Sequence, residues 1–166
     1  FFTIWNSIQA DLISTSGLPF TDNIGRGRVF GGEASLIWRP SASLTLDTAL
    51  FFNDSALVAP ALGFEDANES RLPNIAKAGG RASFAWTTPL SARLMLTLDG
   101  TLRYVGRSNL GTAPPLVLGQ GETVQTDLSA ALDAGAWKVM LDASNLLGES
   151  RNSFSYGNPF SVGLGR

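Results

Sequence analysis

The sequence contains no cysteine and no histidine among its 166 residues. The missing cysteines exclude disulfides, thiol nucleophiles and the usual structural zinc sites. The missing histidines remove the most frequent general base and transition-metal ligand, and with them every serine–histidine–aspartate arrangement. Because catalysis would have to rest on carboxylate, lysine or tyrosine chemistry, we expect neither enzymatic activity nor a bound metal or cofactor.

Charge is scarce and nearly balanced, with 12 Lys and Arg against 14 Asp and Glu. No basic stretch is interleaved with aromatic residues, so nothing favours nucleic acid as a partner. The first residues lack a basic leader and a small-residue cleavage site, and we expect a piece of a longer protein with its export signal upstream. The apolar runs are far shorter than the roughly 18 to 20 residues of a membrane-spanning helix. Any membrane contact must therefore be made by strands.

Segments of about ten residues alternate between apolar and polar side chains, which is the pattern of strands with two unlike faces. In the clearest of them, Leu96, Leu98 and Leu102 share one face while Asp99 and Arg103 point the other way. The alternation predicts seven strands at 1–12, 30–38, 43–53, 78–86, 94–104, 124–133 and 137–144. In the first strand, the residues expected on the apolar side are Phe2, Ile4, Ile8, Ala10 and Leu12.

The charged residues have a distribution that a lipid environment would require. They occupy the middle of the strands on the polar faces, whereas the apolar faces carry charge only near one end, at Arg28 and Glu122. Arg or Lys facing the bilayer centre costs roughly 2 to 4 kcal/mol, and about 1 kcal/mol or less near the interface. The apolar run from Leu94 to Leu102 spans about 30 Å of strand, or about 23 Å at a tilt near 40°, close to the expected band of about 25 Å.

The connections alternate between short and long, as they do in outer-membrane barrels. Short turns are predicted at 39–42, 88–91 and 134–136, and long loops at 14–25, 54–77 and 107–121. A lipid-facing aromatic girdle is expected near the short turns at Trp38, Trp86 and Trp137, and at the other rim at Phe30, Phe52 and Tyr104. These features predict an all-β, antiparallel up-and-down meander that is part of a large transmembrane β-barrel in the bacterial outer membrane and is not closed by this chain alone.

Six short motifs occur in order along the chain, and the ordered set is more specific than any single motif. They are NIGRGRVFGGEASLIWRP at 23–40, LTLDTALFFNDS at 44–55, LPNIAKAGGRASFAW at 72–86, RYVGRS at 103–108, NLLGESRN at 145–152 and SYGNPF at 155–160. The first resembles the "N-x-G-x-x-R-x-x-G-x-E-x-x-x-x-W-x-P" strand near the end of TonB-dependent receptors, and the others are similar to strands and loops that follow it there. Ala76 departs from the pattern, because it stands where the family's "L-P-N-x-P" segment usually has its second proline.

The resemblance covers nearly all of residues 1–166 and implies the C-terminal portion of a receptor barrel, without its plug domain and final strand. It implies a barrel of about 22 strands, filled by the plug, that imports a scarce ligand under force transmitted by TonB. The partners implied are outer-membrane lipid, the plug, TonB and a small-molecule ligand. In the family, ligands include siderophore and other metal chelates, cobalamin, haem and carbohydrates, and nothing in this sequence selects among them.

Candidate site residues fall into two groups. Charged residues expected to face the lumen are Glu33, Asp47, Arg81, Asp99, Arg103, Asp127 and Asp142, where cross-strand ion pairs and a solvated wall are favoured over ligand contacts. Among them, Arg81 and Arg103 are expected to pair with Asp99 and Asp127. Candidates for ligand capture in the long extracellular loop are Phe64, Glu65, Asp66, Asn68 and Arg71.

Two other classes of protein remain open from the sequence. A complete small outer-membrane barrel with a structural or adhesive role needs about this length, although seven strands is an odd number. A soluble lipid-binding β-barrel would show the same alternation, with its apolar side chains turned inward.

Overall fold

Most of the described chain is β-strand. The computed structural model describes residues 1–13, 16, 18–67, 70–109 and 119–150, with the backbone alone for Asp11 and Ile13. The seven long strands are β1 Phe2–Ile13, β2 Pro19–Ser41, β3 Leu44–Pro60, β4 Ala78–Ser91, β5 Leu94–Val105, β8 Thr123–Asp133 and β9 Lys138–Ser144. They form one antiparallel sheet in the order β1-β2-β3-β4-β5-β8-β9, which confirms the predicted seven-stranded meander.

Three short elements complete the described chain. A 3₁₀ turn, Glu65–Ala67, lies between β3 and β4. The strands β6, Ser108–Asn109, and β7, Gly119–Gln120, pair with each other between β5 and β8. Strands of two residues are too short to show an alternating pattern, so the sequence does not predict them.

Several predicted connections were wrong because the strands continue through them. β2 begins at Pro19 and β3 extends to Pro60, so the long loops expected at 14–25 and 54–77 are shorter than predicted. Residues 39–41 and 88–91 belong to strands, and the turns lie at 42–43 and 92–93. Pro40 and Pro89 lie within the last three residues of β2 and β4. We call the end of the sheet with the turns at 42–43, 92–93 and 134–137 the turn end, and the opposite end the loop end.

The pairing register gives the sheet two different faces. One row of directly opposed residues contains Trp38, Leu46, Phe84, Gly100, Leu128 and Ala143, and we call this side the apolar face. The next row along the strands contains Ile37, Asp47, Ser83, Thr101, Asp127 and Ser144, and we call this side the polar face. Side chains directly opposite each other lie on the same face, so the alternation predicted within single strands extends across the sheet.

Bulges reverse this alternation where β1 and β2 pair at the loop end. The register shifts between Trp5 and Ile8 in β1, and again opposite Ile24 in β2, where Gly25 has a φ of 131°. A Cβ on Gly25 would also overlap the carbonyl of Ala59, so both conformation and space require glycine there.

The bulges correct the prediction for β1. Phe2 lies opposite Phe30 of the apolar face, as expected. Ile8, Ala10 and Leu12 were expected on the same side, but they pack on the polar face against the buried cluster described next. A single extra residue shifts every later side chain of a strand to the other face, and alternation within one strand cannot reveal it.

A small hydrophobic core lies on the polar face at the loop end. Its buried residues are Ile24, Val29, Leu57, Ala67 and Leu72. The described part of the segment 61–77, residues 61–67 and 70–77, supplies two of them and is fastened to the edge of β3 by hydrogen bonds from the Leu57 amide to the Ser70 carbonyl at 2.9 Å and from the Asn53 amide to the Lys77 carbonyl at 2.6 Å. We call this segment the cover.

We predict that Leu72→Ala detaches the cover from the sheet. Leu72 is 1% exposed, and truncating a fully buried leucine costs about 2 to 5 kcal/mol. The free energy of unfolding should fall by that amount in a urea titration, and the Leu57 amide should exchange hydrogen faster. Leu62→Ala is the matched control, because Leu62 is 95% exposed and its loss should change stability by less than about 0.5 kcal/mol. Equal effects of the two substitutions would contradict the assigned core.

Candidate functional site

The apolar face is exposed although it consists of large hydrophobic side chains. Leu36, Leu50 and Leu141 are 62%, 58% and 71% exposed. A contiguous apolar surface of this extent marks contact with another molecule or with a membrane. No helix in the described residues is long and apolar enough to cross a bilayer.

Three tryptophans near the turn end lie on a slanted line across the apolar face. Trp38 shares a row with Phe84 and, at the far side of the sheet, with Ala143. Trp86 lies two residues beyond Phe84 toward the turn end, and Trp137 lies six residues beyond Ala143. From Trp38 to Trp137, the line is therefore displaced by six residues along the strands over five steps from one strand to the next. At about 3.3 Å per residue and about 4.8 Å per strand, the line is inclined by about 40° to the rows.

The aromatic residues at the other rim follow the same inclination. Tyr104 shares a row with Ala34, which lies four residues beyond Phe30 toward the turn end. Phe52 lies between them in the order of strands, and its ring packs edge to face on that of Phe30 at 6.4 Å. Four residues over three strand steps again correspond to about 40°. We call this the upper line and the tryptophan line the lower line.

All seven charged residues of the first candidate group lie on the polar face. Asp47 is half-buried and the other six are exposed: Glu33, Arg81, Asp99, Arg103, Asp127 and Asp142. The structure brings only some of them together. Arg81 and Arg103 are directly opposite each other on β4 and β5, and Asp47 is diagonal to Arg81 on β3.

The ion pairing on this face differs from the prediction. Arg81 donates to Asp47, with Nη2 and Oδ2 3.1 Å apart, and not to Asp99 or Asp127. The register explains the difference, because Ala85 lies opposite Asp99 and Thr101 lies opposite Asp127. The alternation of residues within a strand shows which face a charged side chain occupies. Its partner in an ion pair depends on the offset between neighbouring strands.

Asp127 has a different role at the edge of the sheet. Its Oδ1 accepts a hydrogen bond from the Asn145 amide at 3.2 Å, immediately after β9. The Asn145 side chain in turn bonds the amide and the carbonyl of Glu149. Asp127 therefore helps to fix the end of the β8-β9 hairpin.

A concave region of about 580 Å³ lies on the polar face around the two arginines. Its lining includes Glu33, Ser35, Phe51, Arg81 and Arg103. Phe51 was not among the residues predicted for the site. A large aromatic side chain in a polar-face position was the available signal.

The loop candidates are dispersed over the cover. Phe64 packs against the buried cluster and so serves the fold. Glu65 and Asp66 are exposed in the 3₁₀ turn, and Arg71 is half-buried. Asn68 lies outside the described residues. No group of three or more carboxylates in the described ranges is arranged to hold a metal ion.

The Glu65 carboxylate is already engaged within its own turn. Hydrogen bonds from its own backbone amide and from that of Gly63 lower the pKa of Glu65 below its usual value. Both carboxylate oxygens lie 3.0 Å from the Gly63 nitrogen. A ligand recruited by this carboxylate would have to compete with these bonds.

Comparison of this chain with protein-family models, curated proteins and solved structures gave no match.

We predict a weak, salt-sensitive coupling between Asp47 and Arg81. Their side chains are 35% and 47% exposed, so solvent screens the attraction, and such pairs contribute about 0.2 to 1 kcal/mol. A double-mutant cycle of Asp47→Asn and Arg81→Gln, measured by urea unfolding, should give a coupling in this range that declines as NaCl is raised. Asp99→Asn in the same cycle is the control and should show no coupling to Arg81. A coupling to Asp99 as large as that to Asp47 would contradict the assigned pair.

Proposed function

We propose that this chain is part of the wall of an outer-membrane β-barrel, and that the protein to which it belongs is a TonB-dependent receptor importing a specific small-molecule ligand. The two aromatic lines carry the membrane part of this proposal. Strands of outer-membrane barrels tilt by about 35 to 45° from the membrane normal. Residues at one depth in the bilayer must then fall on a line inclined by the same angle to the cross-strand rows. Both lines have about this inclination, in the same direction.

The separation of the lines agrees with the thickness of a bilayer. Phe30 and Trp38 are eight residues apart in β2, which is about 26 Å along the strand and about 20 Å after projection at a 40° tilt, against an expected band of about 25 Å. In the described residues, no charged side chain lies on the apolar face between the two lines. Arg28, Asp54 and Glu122 on that face lie beyond the upper line.

Two features support a receptor over a passive wall. The first is the family resemblance, whose motif residues have structural roles here: Asn23 accepts a hydrogen bond from Gly25 at the bulge, and Leu72 fills the small core. The second is the cover, which lies over the polar face at the loop end. In a barrel with this orientation the cover would line the extracellular entrance, where an incoming ligand is first met.

The membrane placement is tested with the four tryptophans, Trp5, Trp38, Trp86 and Trp137. In four variants, each keeping one tryptophan and carrying phenylalanine at the others, the chain is refolded into phosphatidylcholine vesicles containing brominated lipids of known bromine depth. The three tryptophans of the lower line should be quenched at one common depth near the interface. Trp5, opposite Gly27 on the polar face, should be quenched least. Three different depths, or quenching of all four by aqueous iodide alone, would refute the placement.

A substitution on the apolar face tests whether that face contacts lipid or water. We predict that Leu128→Arg lowers the free energy of unfolding in vesicles by about 2 to 4 kcal/mol, because Leu128 lies between the two lines. Ser129→Arg on the polar face is the control and should cost much less. If the apolar face met water, Leu128→Arg would change stability by less than about 0.5 kcal/mol, because Leu128 is already 42% exposed.

The transport step is tested in the bacterium that carries the gene. Deleting the coding region of this chain should abolish accumulation of one labelled probe among ferric citrate, a ferric hydroxamate, cobalamin and maltohexaose. Collapsing the inner-membrane proton gradient in the parent strain should abolish accumulation of the same probe. Unchanged uptake of all four probes would count against the receptor, even if the tryptophan experiment supported the membrane wall.

A further inference from the structure

Two arginines face each other on the polar face at the centre of the sheet. Arg81 of β4 and Arg103 of β5 are directly opposed in the register, and their side chains emerge on the same side. Directly opposed residues of antiparallel strands have Cα atoms only about 4.5 to 5.5 Å apart. Each guanidinium carries a positive charge, so the two side chains repel each other. Like charges in this arrangement destabilise a sheet unless a counter-charge is present.

Among the residues that the structure describes, only one of the two arginines has a partner in an ion pair. Asp47 pairs with Arg81. In the described part of the chain, Arg103 has neither an ion pair nor a hydrogen bond to its side chain. The closest carboxylate by register is that of Asp127, diagonal on β8, and its Oδ1 is bonded to the amide of Asn145.

The remaining carboxylates of this face are further away. Asp99 lies four residues from Arg103 along β5, which is about 13 Å at the usual rise per residue. Glu33 lies on β2, three strands from Arg103, and is opposite Phe51. The excess positive charge at Arg103 is thus a local property of the register, although the net charge of the chain is −2.

The surroundings have the shape and chemistry of an anion site. Arg81 and Arg103 both line the concave region of about 580 Å³, which is large enough for a small polyanion. Ser35 adds a hydroxyl group at its border, and Phe51 forms an apolar wall. Two guanidiniums offer ten N–H donors in planar forks, which match the oxygens of carboxylate and phosphate groups.

We propose that Arg81 and Arg103 bind an anionic group, a carboxylate or a phosphate, on the polar face of the sheet. This inference goes beyond the proposed function and depends on the register of β3, β4 and β5, not on membrane insertion. The anion completes a charge pattern in which Asp47 neutralises one arginine and the ligand neutralises the other. Asp47 also competes with the anion for Arg81.

The test is isothermal titration of the folded 166-residue chain in neutral detergent micelles with two probes, citrate and inorganic phosphate, at constant ionic strength. Saturable binding of one equivalent is expected for at least one probe. Tighter binding of citrate would assign the site to carboxylates, and tighter binding of phosphate to phosphate groups. Arg103→Gln should weaken binding about tenfold or more, since it removes hydrogen bonds to a charged group. Arg93→Gln, in the exposed turn between β4 and β5, removes the same charge and should leave the affinity unchanged.

A second pair of variants keeps both arginines and tests the competition. Asp47→Asn should tighten binding, because it frees Arg81. Asp142→Asn makes the same change of net charge on the same face of β9 and should have no effect. Equal effects of Asp47→Asn and Asp142→Asn would mean that affinity follows net charge alone, and would overturn the proposal. The proposal would also be overturned if the unaltered chain bound neither citrate nor phosphate, whether or not the chain inserts into vesicles.

Discussion

The unbroken antiparallel register from β3 to β4 and from β5 through β8 to β9 is the constraint on which the rest of this structure depends. No shift interrupts these three pairings, and the shift between β4 and β5 lies at the turn end, between Pro89 and Ser91, so the rows that cross from β3 to β9 keep their side chains on one face. Because the period of a strand is two residues, one slipped register would mix leucines with aspartates on both sides. The separation of an apolar and a polar face therefore follows from backbone pairing as much as from composition.

This constraint produces a sheet whose two ends are stabilised differently. At the loop end, β1, β2, β3 and the cover enclose a small core with fully buried residues such as Ile24 and Leu57. Toward the turn end, no other described residue covers either face, and Ile37 and Trp38, on opposite faces of β2, are both more than half exposed. A sheet exposed in this way gains little hydrophobic stabilisation from its own chain. The proposed bilayer would provide the missing apolar environment for one face and leave the other for water or for ligand.

The sequence predicted the element types well and their limits less well. For β5, strict alternation of leucines with polar residues placed the strand at 94–104, and the structure has Leu94–Val105. The extension of β2 to Pro19 was missed because Thr21, Asp22 and Asn23 are typical of loops, and only pairing with β1 makes them a strand. The faces of the seven charged residues were predicted, since each depends on its own strand. The pairing of Arg81 with Asp47 was not, since it depends on how two strands are offset.

The bulges near Gly25 allow β2 to place apolar side chains on both faces of the sheet. On the turn-end side of the bulges, Phe30, Leu36 and Trp38 of β2 lie on the apolar face. On the loop-end side, Ile24 lies in the core on the polar face. A strand with strict alternation would place Ile24 on the same face as Phe30, where it would be exposed and not buried in the core. The inserted residues move the later side chains of the strand to the other face of the sheet, at the point where the core begins. Apolar side chains at the loop end can then be buried in the core while those nearer the turn end stay on the apolar face.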